Sequence, residues 1–194
     1  MDIVSHGLWA AAASKASNLS ASKVRKINPW LAAFWGMFPD LFAFSISFVW
    51  IFVKLISHQI SPTMLPRPEN MEPGEYSTLW PMRLSLYLYN YSHSLVIFFA
   101  VIFFITLFRY LRKKRSLLQI LPLEMGGWLL HILCDIPTHS YKFYPTPIFW
   151  PIWNWKFNGF SWGVWWFILL NYTLTTICYV IIYLKKNKFN KKSV

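Results

Sequence analysis

Charge is scarce in this chain: Asp, Glu, Lys and Arg make up 13% of its 194 residues, about half the share of a soluble globular domain. Acidic residues are scarcer still, 7 against 19 Lys and Arg. Cysteine is limited to Cys134 and Cys178, both in apolar stretches, with no CxxC or Cys-His spacing. That excludes a disulfide scaffold and a zinc-finger module, and the two thiols read as buried. The N-terminus MDIVSHGLWAAAAS has no basic start before its apolar part and no cleavage signal, so it is expected to remain on the mature protein. No internal repeat, low-complexity tract or domain boundary interrupts residues 1–194, which are expected to form a single membrane-embedded helical domain.

What fills the sequence is apolar: 56% of residues are hydrophobic and 20% aromatic. Such a composition belongs to a membrane protein. The basic excess does not point to nucleic acid, because it falls in short clusters beside the apolar runs: Lys23–Lys26, Arg109–Arg115 and Lys185–Lys192. These read as cytoplasmic topology signals, and no direct nucleic-acid partner is expected.

Three runs, roughly Trp30–Val53, Leu84–Phe108 and Phe160–Leu184, are long enough to cross a hydrocarbon core of about 30 Å as helices. Leu117–Ile136 has about the same length but contains Glu124, His131 and Asp135, whose burial in lipid is costly unless they face inward. Ile3–Ser22 is Ala-rich with Lys15 in its middle, and it either spans with the N-terminus outside or lies on the cytoplasmic surface. The expected fold is all-α, a polytopic transmembrane bundle with 4–5 membrane helices. The basic clusters place the loops 54–83 and 137–159 on the outer side. The first, containing SPTMLPRPENMEPGEY, reads as a surface loop. The second, rich in Trp and Pro, is expected at the membrane interface as a cap.

Ionisable residues inside the apolar runs converge in depth. With about 1.5 Å of rise per residue, Asp40, His93, His131 and Asp135 fall within the outer part of the membrane, and His139 follows at the start of the outer loop. His131 and Asp135 stand at i and i+4, one helix face, as a metal pair or a His–carboxylate hydrogen bond requires. Pro137 is expected to end or kink that helix, so that His139 reaches the site from a turn. Taken singly, each is best explained as a polar link between helices. Together they form a mixed imidazole and carboxylate set suited to Zn, Mn or Fe. His6 joins only if the first segment spans. His58 reads as a solvated loop residue, and Glu72 and Glu75 as ordinary exposed glutamates that could reach over the site as a base.

The ordered motifs SHG, GMFPDL, YSHSLV, HILCDIPTH and FWPI resemble the bacterial membrane-bound metal-dependent hydrolases, the LexA-binding, inner-membrane-associated group. The resemblance runs from His6 to Trp153. It implies metal-site roles for His6, Asp40, His93, His131 and Asp135, and it matches Ser94 to the small hydroxyl residue after the second histidine of that family. Two departures stand out. GMFPDL continues as LFAF where many members have a second Asp, and His139 occupies a position where others often carry another residue. The His131 and Asp135 spacing is also similar to that of the zinc-dependent phospholipase C group. The expectation is an integral protein of the bacterial cytoplasmic (inner) membrane: a metal-dependent hydrolase in contact with membrane lipid, acting on a lipid or lipid-linked phosphoester. Its metal ligands would be His6, Asp40, His93, His131, Asp135 and His139, with Asp135 or Asp40 as base. The alternatives are a non-catalytic metal-binding or transport protein and a purely structural one.

Overall fold

The computed structural model describes residues 1–20, 26–65, 79–113 and 116–192. Among these, the regular structure is helical. In chain order the helices are α1 (Ile3–Ser20), α2 (Pro29–Ile56), α3 (Trp80–Ser92), α4 (Leu95–Lys113), the single turn α5 (Leu117–Ile120), α6 (Gly126–Thr138) and α7 (Trp165–Lys192). Glu72, Glu75 and the basic residues Lys23, Arg25, Lys114 and Arg115 lie outside the described residues.

Three helices are long and apolar enough to cross a bilayer: α2, α4 over Leu95–Arg112, and α7 over Trp165–Lys188. Their outward faces carry Val49, Phe52, Phe103, Phe104, Leu111, Leu169 and Leu184, all exposed. So much contiguous apolar surface would be a liability in water and is what lipid covers.

Local chemistry sets the helix boundaries. Asn28 caps α2 through its side-chain oxygen, which accepts from the amides of Trp30 and Leu31, with Pro29 at the first helical position. The same end of the bundle is tied to α1 by Asn18, whose Oδ1 accepts from Ile27 N at 2.9 Å and whose Nδ2 donates to the Ile27 carbonyl at 2.7 Å.

Two runs that read as continuous are broken. The stretch 84–108 splits at His93 and Ser94, because Ser94 turns its hydroxyl onto the amides of Val96 and Ile97 and starts α4 anew. The stretch 117–136 breaks at Leu121 and Pro122, since proline has no amide to continue the ladder, and a short 3₁₀ turn, Leu123–Met125, leads into α6. With 13 residues, α6 is only about 20 Å long and ends inside a typical core thickness.

α2 lies at the centre, packed against α1, α3 and α6, while α7 flanks α1. Small residues make the central crossing possible. A Cβ on Gly36 would sit 2.7 Å from the His6 carbonyl oxygen, and one on Gly127 only 2.2 Å from that of Ala32. Beside this seam, Phe98, Met125, Trp128 and Ile132 form an apolar core with Trp35 and Phe38 packed on it.

Gly127→Ala is expected to force α6 off α2 and to destabilise the protein by about 1–3 kcal/mol, the usual cost of overpacking. Gly126, with nothing within 4 Å of its Cβ position, is the matched control. Thermal unfolding in detergent should show a lower Tm for Gly127→Ala and no loss for Gly126→Ala.

Candidate metal centre

Pro39 in α2 cannot donate to the carbonyl one turn back, which loosens the helix just before Asp40. Asp40 Oδ1 then lies 3.4 Å from His93 Nε2 and 3.7 Å from His131 Nε2. His93 stands at the break between α3 and α4, so its ring enters the bundle without being constrained by a helix turn. His131 and Asp135 share one face of α6, with His131 Nε2 and Asp135 Oδ2 3.1 Å apart. One oxygen or nitrogen from each of Asp40, His93, His131 and Asp135 lies within 4.8 Å of all the others, and all four residues are buried.

The outer hydrogen bonds of the histidines decide which nitrogen faces this centre. His131 Nδ1 is 2.6 Å from the Gly36 carbonyl oxygen. A carbonyl cannot donate, so Nδ1 carries the proton and Nε2 of the neutral ring is a lone pair. His93 Nδ1 is 2.8 Å from Ser92 Oγ, whose own proton goes to the Leu88 carbonyl at 3.3 Å. In the tautomer that follows, His93 Nδ1 is a donor as well, and His93 Nε2 and His131 Nε2 face each other at 2.9 Å as two lone pairs beside two carboxylates. A cation relieves that contact; in the other tautomer the Ser92 hydroxyl donates to Nδ1 and His93 Nε2 donates to His131 Nε2. Imidazoles oriented by a second hydrogen bond, with free nitrogens converging beside carboxylates, form a group that could hold a metal ion.

His6 and His139 complete the cluster. His6 Nε2 is 2.9 Å from Asp135 Oδ1, and its ring stacks on that of His131 with centroids 3.6 Å apart. His139 is the extended residue that closes α6, one place after the helix ends at Thr138. Its Nδ1 donates to the Tyr144 carbonyl at 2.9 Å, and its Nε2 lies 3.5 Å from Asp135 Oδ1. The Met1 amine donates to the same oxygen at 2.6 Å and to Thr138 Oγ1 at 3.2 Å. All six residues expected from the sequence as ligands are thus brought together. His58 is not: it lies exposed in the turn after α2.

Trp128 and Tyr89 had no sequence signal. Trp128 Nε1 donates at 2.6 Å to the Ser92 carbonyl, which the break beside His93 would otherwise leave unpaired. Tyr89 stacks on His93 with centroids 3.6 Å apart. Ser94 caps α4 and donates to the Trp150 carbonyl at 2.5 Å, so its hydroxyl holds the FWPI segment rather than facing the cluster. The 157–162 stretch docks on the end of α6, with Gly159 N donating to the His139 carbonyl at 2.9 Å and Phe160 N to that of Pro137 at 3.0 Å. A Cβ on Gly159 would lie 2.1 Å from the Pro137 carbonyl oxygen, so only glycine allows this approach. The aromatic loop caps the site through its backbone.

Comparison of the chain with protein-family models, curated proteins and solved structures finds no match.

Adding Zn(II) or Mn(II) to chelator-treated protein should raise Tm, by the equivalent of about 2.7 kcal/mol at a hundredfold excess over Kd. Ser92→Ala removes the hydrogen-bond partner of His93 Nδ1 and should weaken ion binding about 10–100-fold, as loss of an orienting partner commonly does. An unchanged binding isotherm for Ser92→Ala would show that this bond orients no ligand.

Proposed function

We propose that the chain is a metal-dependent hydrolase of a lipid or lipid-linked phosphoester, of the kind its motifs resemble, in a bacterial cytoplasmic membrane. The observation that supports this reading is a cavity of about 320 Å³ lined by Asp40 and His139 together with Phe44, Phe48, Phe143 and Trp162. An apolar passage that ends on the edge of a buried His/Asp cluster suits a substrate with a polar head and an apolar chain.

A divalent ion held by His93, His131 and Asp135, with Asp40 beside it, would supply a Lewis acid and bring the pKa of a bound water toward about 7. The two carboxylates then have different work. Asp135 is wholly enclosed and contacts histidines through both oxygens, so it is the ligand. Asp40 borders both cluster and cavity, and its carboxylate is placed to take the proton from the attacking water. Phe44, Phe48 and Phe143 keep bulk water from the cluster and align the chain of the substrate. A mixed N and O ligand set favours Zn, with Mn or Fe as the other candidates.

In the membrane, α1 and the interrupted segment formed by α5 and α6 would complete a five-crossing bundle with the N-terminus and the metal centre toward the outer side. With Cys134 and Cys178 replaced by Ser, His58→Cys should react with an impermeant thiol reagent in intact cells and Ser116→Cys only after lysis. The reverse pattern would turn the bundle over.

The activity is tested with purified protein in mixed micelles containing phosphomonoester and phosphodiester lipids. A chelator-sensitive release is expected, poor on a soluble phosphoester with the same headgroup and no acyl chains. Asp135→Asn should lose ion and turnover together, while Asp40→Asn keeps the ion and loses about 10²–10⁴ in kcat. A protein that binds the ion but cleaves none of these lipids would be a metal-binding or transport protein instead.

A further inference from the structure

We propose that Asp135 bridges two cation positions, and that His6 and His139 form the second beside the one made by His93 and His131. This rests on the reading of the cluster as a metal centre and specifies its nuclearity. The carboxylate of Asp135 is divided between two sets of partners. Oδ2 faces His131 Nε2 at 3.1 Å and His93 Nε2 at 3.4 Å, whereas Oδ1 faces His6 Nε2 at 2.9 Å and His139 Nε2 at 3.5 Å.

The second set has the same unsatisfied character as the first. His139 gives its Nδ1 proton to the Tyr144 carbonyl, so its Nε2 presents a lone pair to a carboxylate oxygen, and that nitrogen has no hydrogen-bond partner. Neither ring nitrogen of His6 makes an aligned hydrogen bond, although Nε2 is close to Asp135. Both side chains are more than nine-tenths buried, with 2% and 4% exposure for His6 and His139. Buried polar atoms without partners are costly to the fold. Two of them converging on one carboxylate oxygen is the arrangement a cation would satisfy.

A cationic group already lies on this side, since the Met1 amine donates to Oδ1 at 2.6 Å. The competing account is that this ammonium alone balances Oδ1 and that His6 and His139 only pack around it. An ion at the second position would displace the ammonium or, once it has lost a proton, take the amine as a ligand.

Two ions held on either side of one carboxylate would supply a pair able to stabilise both the attacking and the leaving oxygen of a phosphoester. His139 lines the cavity that also reaches Asp40, so both positions border the same space. The substrate class that fits is a phosphoester whose phosphoryl oxygens span both positions.

The test uses full-length protein in detergent. Zn(II) content is measured after gel filtration, and Mn(II) binding is followed by electron paramagnetic resonance. Two ions per chain are expected, with a spin-coupled Mn(II) pair at saturation. His6→Gln and His139→Gln should each retain one ion and give the signal of isolated Mn(II). One ion per chain, kept in both of those variants and lost in His93→Gln, would overturn the bridge while leaving the first position intact. No ion in the wild-type protein would overturn both readings. Where a variant does not fold, the wild-type signal decides: isolated Mn(II) at saturation refutes the pair.

Discussion

The hydrogen bond from His131 Nδ1 to the Gly36 carbonyl, 2.6 Å long and buried, joins α6, which bears His131 and Asp135, to α2, which bears Asp40. Such a bond to a helix backbone requires the two helices to approach more closely than ordinary side chains allow. Gly36 and Gly127 provide that approach, and Ala10 and Ala32 continue it onto α1. With no hydrophobic force pulling helices together in lipid, close van der Waals packing of small residues is a main source of association. One seam therefore does two things: it holds three helices together, and it fixes the ring of His131 with its Nε2 toward the centre. His6, one turn from Ala10 on α1, is delivered by the same crossing.

That packing must offset the cost of what it encloses. Four histidines and two aspartates share a volume with almost no exposure, and several of their polar atoms lack partners. Anionic carboxylates in such surroundings are unfavourable unless matched by positive charge. The Met1 amine matches one oxygen of Asp135, and the Gly36 and Tyr144 carbonyls accept hydrogen bonds from Nδ1 of His131 and His139. These two outer bonds leave the Nε2 lone pairs of neutral His131 and His139 directed inward. A core selected only for stability would gain by replacing such groups with apolar ones of similar volume.

Much of this was legible in the sequence. The i, i+4 spacing of His131 and Asp135, the depth of Asp40 and His93 along their runs, and the position of His139 after Pro137 all led to one place, because helical rise and periodicity are nearly constant. Helix continuity was not legible. Ser94 and Pro122 break runs that hydropathy reads as unbroken, since a hydroxyl cap and a missing amide leave little mark on an average over many residues. The break at His93 is what frees its ring to turn inward, so the feature the apolar pattern concealed is one the site uses. The acceptors on the outer nitrogens were equally invisible. Two of them are backbone carbonyls, of Gly36 and Tyr144, and a carbonyl has no residue type to read.

If the substrate is a lipid, as proposed, the surroundings also constrain how it would be selected. Moving an acyl chain from the bilayer into the cavity lined by Phe44, Phe48 and Phe143 gains little, because the chain leaves one apolar medium for another. The large transfer term that drives apolar ligands out of water into soluble pockets is missing here. Affinity must then come from the polar end, where charge-assisted contacts act in a medium of low dielectric and lose little to screening. The aromatic walls contribute orientation and the exclusion of water, which sharpen those polar contacts without adding to them. On the proposed reading, such a site would discriminate by headgroup chemistry and tolerate variation in chain length, the reverse of a pocket that binds lipids from solution.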